Sequence, residues 1–229
     1  MLSQAEKGGV QNTIQNCVTV LQNDPVLADS IRLNLLSERI DIVKPMGWQR
    51  SGPTLTDTDM VYILRRMEKY GLYSEKRVSA AIRIVANENH YHPIRDYLND
   101  LKWDGTERIS HALHRFLGAA EDELTAEALK IFLLGAIKRV FHPGCKFEMM
   151  LCLVGGQGAG KSSFFRLLAI KDEWFSDDLR RLDDDNVFRK LQGHWIMEMS
   201  EMIATANAKS IEEIKSFLSK QKETYKIPY

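Results

Sequence analysis

A glycine-rich segment in the C-terminal half carries the clearest chemical signal in the sequence. It reads GGQGAGKS over Gly155–Ser162 and fits the spacing G-x-x-x-x-G-K-[ST] at every fixed position. Glycines let successive backbone N–H groups approach phosphate oxygens, and a helix that follows directs its positive N-terminal end to the same place. The pattern predicts a loop that binds the phosphates of a nucleotide. The predicted binding residues are Gly155, Gly156, Gln157, Gly158, Ala159, Gly160, Lys161, Ser162 and Ser163.

Two side chains at the end of this loop have expected roles. Lys161 is expected to bridge the β- and γ-phosphates and to assist catalysis, and the Ser162 hydroxyl is expected to bind Mg²⁺. The alternative is a chance glycine-rich turn, which ordinary residue frequencies make a rare coincidence. An apolar run before the loop and a helical pattern after it favour the phosphate-binding interpretation.

A phosphate loop needs an acidic partner for Mg²⁺, and one acid stands out. Glu198 lies in the apolar run WIMEM, where a carboxylate is costly unless it is paired or lies near a cation. Glu201, three residues later, is placed to orient or deprotonate an attacking water. The plainer alternatives are a solvated edge-strand residue for Glu198 and an exposed carboxylate at a helix start for Glu201.

The elements that must position these residues change character along the chain. Residues 1–88 are predicted as a mainly helical accessory region, and residues 89–229 as a second domain with a helical lead-in over 89–145. The remaining part, 146–229, alternates predicted strands and helices and indicates an α/β nucleotide-binding core. Its predicted strands are Met149–Val154, which is expected to be buried and parallel, Trp174–Ser176 and Trp195–Met199.

Helix and turn signals divide the rest of the chain. The sequence predicts a hairpin near residues 31–43 and a long buried helix over Leu124–Val140. Helices are also predicted from Ile14, after Thr56-Asp57, after Ser74, from His92-Pro93, over Glu107–Leu117 and from Lys161.

Composition excludes several classes of protein. The 229 residues carry 31 Lys and Arg against 31 Asp and Glu, and 44% are hydrophobic, so disorder and a disulfide scaffold are excluded. Zero net charge gives no bulk signal for nucleic acid or membrane. No apolar run approaches membrane-spanning length, no secretory signal is visible, and three cysteines without CxxC spacing fit reduced thiols. A cytoplasmic protein without a membrane partner is expected.

One pair of histidines has the spacing of metal ligands. His111 and His114 lie three residues apart, on one face of the helix predicted over Glu107–Leu117. The sequence does not indicate a third ligand, so the plainer interpretation is a half-buried helix face.

Several motifs in fixed order resemble the virulence-associated protein E family. The matching segments are YHPIRDYL at Tyr91–Leu98, LKWDGTERI at Leu101–Ile109, FHPGCKF at Phe141–Phe147, the loop Gly155–Ser162, WIMEMSE at Trp195–Glu201 and KSFLS at Lys215–Ser219. The resemblance extends over nearly the whole chain and is densest after Tyr91. Family members resemble superfamily 3 helicases within the AAA+ ATPases and occur in phages, plasmids and pathogenicity islands.

The resemblance implies roles for individual residues. Gly155–Ser162 would be the Walker A motif, Glu198 the Walker B acid and Glu201 the catalytic carboxylate. Lys215 and Lys226 fall where such helicases place basic DNA-facing residues, although two solvated lysines are an equally good interpretation. The implied cofactors are ATP and Mg²⁺. The implied partners are single-stranded or forked DNA, a primase or other replication proteins, and further copies of the chain in a ring.

The resemblance is incomplete at its C-terminal end. Family members continue past the position of Tyr229 and supply a sensor residue and an arginine finger, which have no candidate here after Glu201. A truncated member with impaired ATP turnover is therefore expected, since an arginine finger is worth about 10³ to 10⁵ in rate. Two other functions stay open: a non-catalytic module that binds a nucleotide or a partner, and a small-molecule kinase.

Overall fold

The chain divides into two compact units, Met1–Asp96 and Tyr97–Tyr229. The computed structural model describes residues 2–4, 8–179, 187–199, 212 and 214–217. None of the helices in these ranges has the length and apolar character needed to cross a bilayer.

The N-terminal unit combines helices with one small hairpin, as the sequence predicts. The hairpin pairs residues 31–34 with residues 39–42 antiparallel, and Ile31 lies opposite Ile42. The elements of this unit are α1 (Ile14–Asn23), β1 (Ile31–Asn34), β2 (Arg39–Ile42), α2 (Asp57–Met67), a 3₁₀ turn (Glu68–Tyr70) and α3 (Glu75–Glu88). The next helix, α4 (Pro93–Asp100), begins at the predicted His92-Pro93 signal and ends beyond the division between the units.

Local signals in the sequence define where these helices begin and end. Thr56 starts α2 with a capping box, in which its hydroxyl accepts from the Asp59 amide and the Asp59 carboxylate accepts from the Thr56 amide. Gly71 ends the following turn at φ +75°, a conformation that glycine adopts without strain. The core between α1, α3 and the hairpin is apolar, and Leu21, Ile31 and Val78 are fully buried.

Two buried carboxylates stabilise this unit through ion pairs. Asp24 lies at the end of α1 and accepts from Arg66 Nε at 2.5 Å and from the Tyr70 hydroxyl at 2.6 Å. Burial alone would raise the pKa of the Asp24 carboxyl, but these donors outweigh it and lower the pKa to about 2. The Asp59 carboxyl behaves in the same way. Burial would raise its pKa, but hydrogen-bond donors led by Arg50 hold the pKa well below the usual range.

Replacing Asp24 with Asn tests the contribution of this network. Because Arg66 loses a buried anionic partner, the free energy of unfolding of this unit should fall by about 3 kcal/mol at neutral pH. A depressed pKa stabilises the fold above the unfolded value of about 4, and the benefit is lost as the pH falls through about 2. The difference between the wild-type chain and the variant should therefore be constant above pH 4 and shrink below it. Urea titrations followed by hydrogen exchange of α1 peptides measure it. A difference that does not change with pH would contradict the assignment.

The C-terminal unit joins a helical hairpin to a very short parallel strand pair. In this pair Phe175 lies opposite Ile196, and Ser176 lies opposite Met197. This pair confirms, in shortened form, the strands predicted around Trp174–Ser176 and Trp195–Met199. The elements of this unit are α5 (Ile109–Leu117), α6 (Glu123–Phe141), α7 (Lys161–Leu168), a 3₁₀ turn (Asp172–Trp174), β3 (Phe175–Ser176), α8 (Val187–Leu191) and β4 (Ile196–Met197).

The prediction of a buried parallel strand at Met149–Val154 is wrong. These residues form no strand, and Met149 and Val154 are 53% and 78% exposed. Every second side chain, Leu151 and Leu153, packs against the core that α5 and α6 form, so only one side of the segment is covered. An apolar run becomes a strand only when a neighbouring backbone pairs with it. No residue in the described part of the chain does so, and the described residues do not form the partial P-loop sheet that the sequence predicts.

Helix α6 also differs from its prediction as a buried helix. Its apolar residues extend nearly all round the helix, yet only Leu129, Gly135 and Val140 are buried. Leu134 is 56% exposed, and Ile137 also faces solvent. An all-round apolar pattern predicts burial on every side, but α5 and the segments after α6 cover only part of its surface.

Gly135 has a specific packing role on α6. The ring of Phe147 lies where a Cβ on this residue would be, so any larger side chain would overlap it.

Gly135→Ala should lower the free energy of unfolding by about 1–3 kcal/mol, because overpacking forces the ring to move. In a Phe147→Ala background the same change should instead stabilise the helix by about 0.5–1 kcal/mol, since alanine is the better helix former. Urea unfolding of the four chains followed by tryptophan fluorescence measures this cycle. Equal effects of Gly135→Ala in both backgrounds would rule out the contact.

Candidate functional site

The glycine-rich loop has the open backbone that its sequence predicts. Gly158 and Gly160 adopt φ values of +79° and +80°, in the left-handed region that glycine favours. Among the described residues, none lies within 4 Å of the Cβ position at Gly155, Gly156 or Gly158, so these residues leave the space beside the backbone free for a ligand. The loop leads directly into α7, whose N-terminal end carries about half a positive charge. This arrangement suits phosphate groups.

Lys161, the first residue of α7, folds back over the loop. Its ammonium group donates to the carbonyl oxygens of Gly155 at 2.9 Å and of Gly156 at 2.7 Å. These bonds place a positive charge beside the glycine backbone. An ammonium group has three donors, so phosphate oxygens can engage it by replacing the carbonyls or by adding to them.

The two predicted metal ligands come together although 36 residues separate them. The Ser162 hydroxyl donates to Glu198 Oε1 at 2.7 Å. Glu198 directly follows β4, and its amide donates to the carbonyl of Ser176 at 2.8 Å, which extends the pairing of the two strands. The parallel pairing therefore directs the carboxylate to the start of α7.

The second oxygen of this carboxylate is buried without a partner. Glu198 Oε2 has no hydrogen-bond donor within the described residues and is closed off from solvent. A buried acceptor in this state costs about 1–3 kcal/mol, and more if it is charged. A cation beside it would remove that cost. A carboxylate together with a hydroxyl is a donor set that suits Mg²⁺, which takes few protein ligands and completes its shell with phosphate and water. The residues present thus fit this ion.

The loop and α7 rest on the helical hairpin of the same unit. Phe164 of α7 is buried with Leu113 and Leu129, from α5 and α6. The Leu117 side chain lies 3.9 Å from the Cβ position of Gly160, which places the end of α5 beside the loop. The sequence gives no direct signal for this neighbour, because nothing in the spacing of α5 relates it to the loop.

An aromatic cluster positions the strand that precedes Glu198. Trp174 is 2% exposed and packs edge-to-face on Tyr97 and Trp195. The Trp195 indole N–H donates to the carbonyl of Ala136 in α6 at 3.2 Å. Trp174 and Trp195 are the first residues of the strands predicted at Trp174–Ser176 and Trp195–Met199, but the sequence does not indicate that they contact each other.

The other predicted site residues fall into two groups. Glu201 and Lys226 lie outside the described residues. Ser163 is exposed on the first turn of α7, and Lys215 forms an exposed ion pair with Glu212 at 2.9 Å. Of the residues assigned to chemistry, the structure therefore brings the loop, Lys161, Ser162 and Glu198 together.

Comparison with known proteins identifies the family of this chain. No curated protein matches the sequence. A model of the virulence-associated protein E-like domain matches residues 98–229, which is more than half of the chain and includes the loop and Glu198. The chain therefore belongs to the virulence-associated protein E-like family.

Proposed function

We propose that this protein is a Mg²⁺-dependent, helicase-like ATPase that acts on DNA in the replication system of a phage, plasmid or pathogenicity island. The observation that carries the proposal is the contact between Ser162 and Glu198, at the end of a glycine loop whose geometry suits phosphate. Family membership supports the biological setting. The glycine geometry and the buried carboxylate oxygen support the nucleotide chemistry.

In this proposal each residue of the site has a distinct task. The amides of the loop and the first turn of α7 bind the phosphate oxygens, and Lys161 neutralises their charge. Ser162 and Glu198 would hold Mg²⁺, and the ion would supply positive charge that stabilises the phosphates during transfer. Glu201 orients or deprotonates the attacking water, a role that rests on its position three residues after Glu198 and on the family resemblance. The same resemblance supplies the proposed partners: DNA, a primase and further copies of the chain.

A second candidate function is a binding module without turnover. The exposed apolar side chains of the C-terminal unit favour it, because Leu134, Met149 and Val154 present surface that a partner protein could cover. This candidate shares the nucleotide site but not the hydrolysis. A measurement of ATP hydrolysis therefore distinguishes the two functions, and a measurement of ATP binding does not.

Lys161→Ala tests the phosphate site directly. The variant should bind ATP at least tenfold more weakly by calorimetry, because an ammonium group beside the triphosphate is lost. Lys138→Ala removes the same charge from an exposed position on α6 and is the matched control. Equal ATP affinity in the Lys161 variant and the control would remove the phosphate-loop assignment.

Glu198→Gln and Ser162→Ala test the metal site. Both variants should keep their fold by circular dichroism but lose most of the Mg²⁺-dependent gain in ATP affinity. The amide in the Glu198 variant preserves shape and removes the charge that a cation requires. Ser163→Ala, one residue later on α7, should retain the gain. A Mg²⁺ dependence that both variants keep would place the metal elsewhere.

Turnover by the wild-type chain distinguishes the candidate functions. The ATPase is supported if the chain releases phosphate from Mg-ATP and if single-stranded or forked DNA increases the rate of release. Glu201→Gln should then abolish the release without loss of ATP binding. ATP binding without release supports the module. Transfer of phosphate to a small acceptor would contradict both and indicate a kinase.

A further inference from the structure

Two adjacent positions on α6 contact the two chain segments that carry the proposed site. The ring of Phe147, which precedes the glycine loop in the chain, lies against Gly135. The next residue, Ala136, accepts a hydrogen bond through its carbonyl from the Trp195 indole N–H at 3.2 Å. Trp195 lies three residues before Glu198. One helix therefore supports both the segment that leads to the loop and the strand that leads to the carboxylate.

The glycine loop has several supports that do not involve Trp195. Leu151 and Leu153, in the segment before the loop, pack against the core that α5 and α6 form. Phe164, in the helix after the loop, is buried in the same core. The phosphate-binding part of the site should therefore keep its position when Trp195 is changed.

Glu198 has fewer supports than the loop. The strand pair before it has only two residues in each strand. Ile196 is buried, but apolar packing has no preferred direction. Trp195 adds edge-to-face packing on Trp174, with ring centroids 6.3 Å apart, and the directional bond from its N–H to α6. This bond is the contact that relates the strand to a fixed point on α6.

The Ala136 carbonyl does not need the indole as its donor. It lies inside α6, where a carbonyl also accepts from the amide four residues later. Loss of the indole N–H therefore leaves no buried acceptor without a partner. We expect the chain to fold without this bond, so its effect on the site can be measured separately from stability.

We propose that Trp195 is a positioning residue, whose bond to α6 sets the distance between Glu198 and Ser162 and so forms the Mg²⁺ site. The inference rests on the proposed function and adds to it how the carboxylate is kept aligned with the loop. The Ser162 hydroxyl and Glu198 Oε1 are 2.7 Å apart. Metal ligands have to be held within about 0.5 Å of their working geometry. Trp195 acts through Glu198 and does not bind ATP.

Trp195→Phe in the full chain tests the proposal, because phenylalanine keeps an aromatic ring and cannot donate. Calorimetry measures the affinity for ATP with Mg²⁺ and with EDTA. Loss of one hydrogen bond should reduce the Mg²⁺-dependent gain in ATP affinity about fivefold. The affinity in EDTA should stay within about twofold of the wild-type value, since the loop and Lys161 are unchanged. Circular dichroism shows whether the variant is folded.

A double variant separates positioning from general support of the fold. Trp195→Phe added to Glu198→Gln should lower ATP affinity no further than Glu198→Gln alone, because a residue that acts through Glu198 has nothing left to position. A general loss of structure would lower the affinity in both backgrounds. A further loss in the double variant would therefore overturn the proposal.

Two other tryptophans provide matched controls. Trp103→Phe makes the same change at a side chain that is 82% exposed and should leave the gain at its wild-type value. Trp174→Phe reduces the packing but keeps the bond from Trp195 to α6, so it should reduce the gain less than Trp195→Phe does. Equal losses in these two variants would show that packing positions Glu198, and would overturn the role of the hydrogen bond.

The wild-type chain distinguishes failure of this inference from failure of the proposed function. A Mg²⁺-dependent gain that the wild-type chain shows and that Trp195→Phe retains in full would overturn the positioning role alone. A wild-type chain whose ATP affinity does not respond to Mg²⁺ would overturn the proposed metal site and the positioning role together.

Discussion

The hydrogen bond between Ser162 and Glu198 is the interaction on which the candidate site depends. It joins the first turn of α7 to the residue that follows β4, and the second carboxylate oxygen is buried with no partner in the described part of the chain. A protein tolerates a buried acceptor of this kind when an ion or a water molecule binds to it. At the end of a glycine loop, a cation is the natural candidate.

The surrounding structure serves that contact in two ways. The helical hairpin of α5 and α6 supports α7 through Phe164, while Trp174 and Trp195 hold the short parallel pair that precedes Glu198. Because the pair has only two residues per strand, it needs this packing in addition to its backbone hydrogen bonds. The N-terminal unit has its own apolar core and stabilises its buried carboxylates Asp24 and Asp59 with arginine.

Sequence patterns predicted local features well where a short-range signal was present. The helix start after Thr56, the proline start of α4 and the end of α6 near Val140 all follow from neighbouring residues, and each agrees with the structure. The hairpin of β1 and β2 is also in its predicted place. The errors occurred where burial had to be inferred from apolar runs alone. Met149–Val154 and the outer face of α6 are apolar but not covered within the described residues, since coverage depends on other segments.

The sequence by itself determined the loop GGQGAGKS, the candidate acid Glu198 and, through the order of its motifs, the family. These features depend on residue types and short spacings, which can be read directly from the sequence. Only the tertiary structure decided that Ser162 contacts Glu198, that Leu117 lies beside Gly160 and that Glu121 faces both His111 and His114. Each of those contacts depends on how helices, turns and strands pack in three dimensions, and the spacing of residues along the chain does not specify this packing.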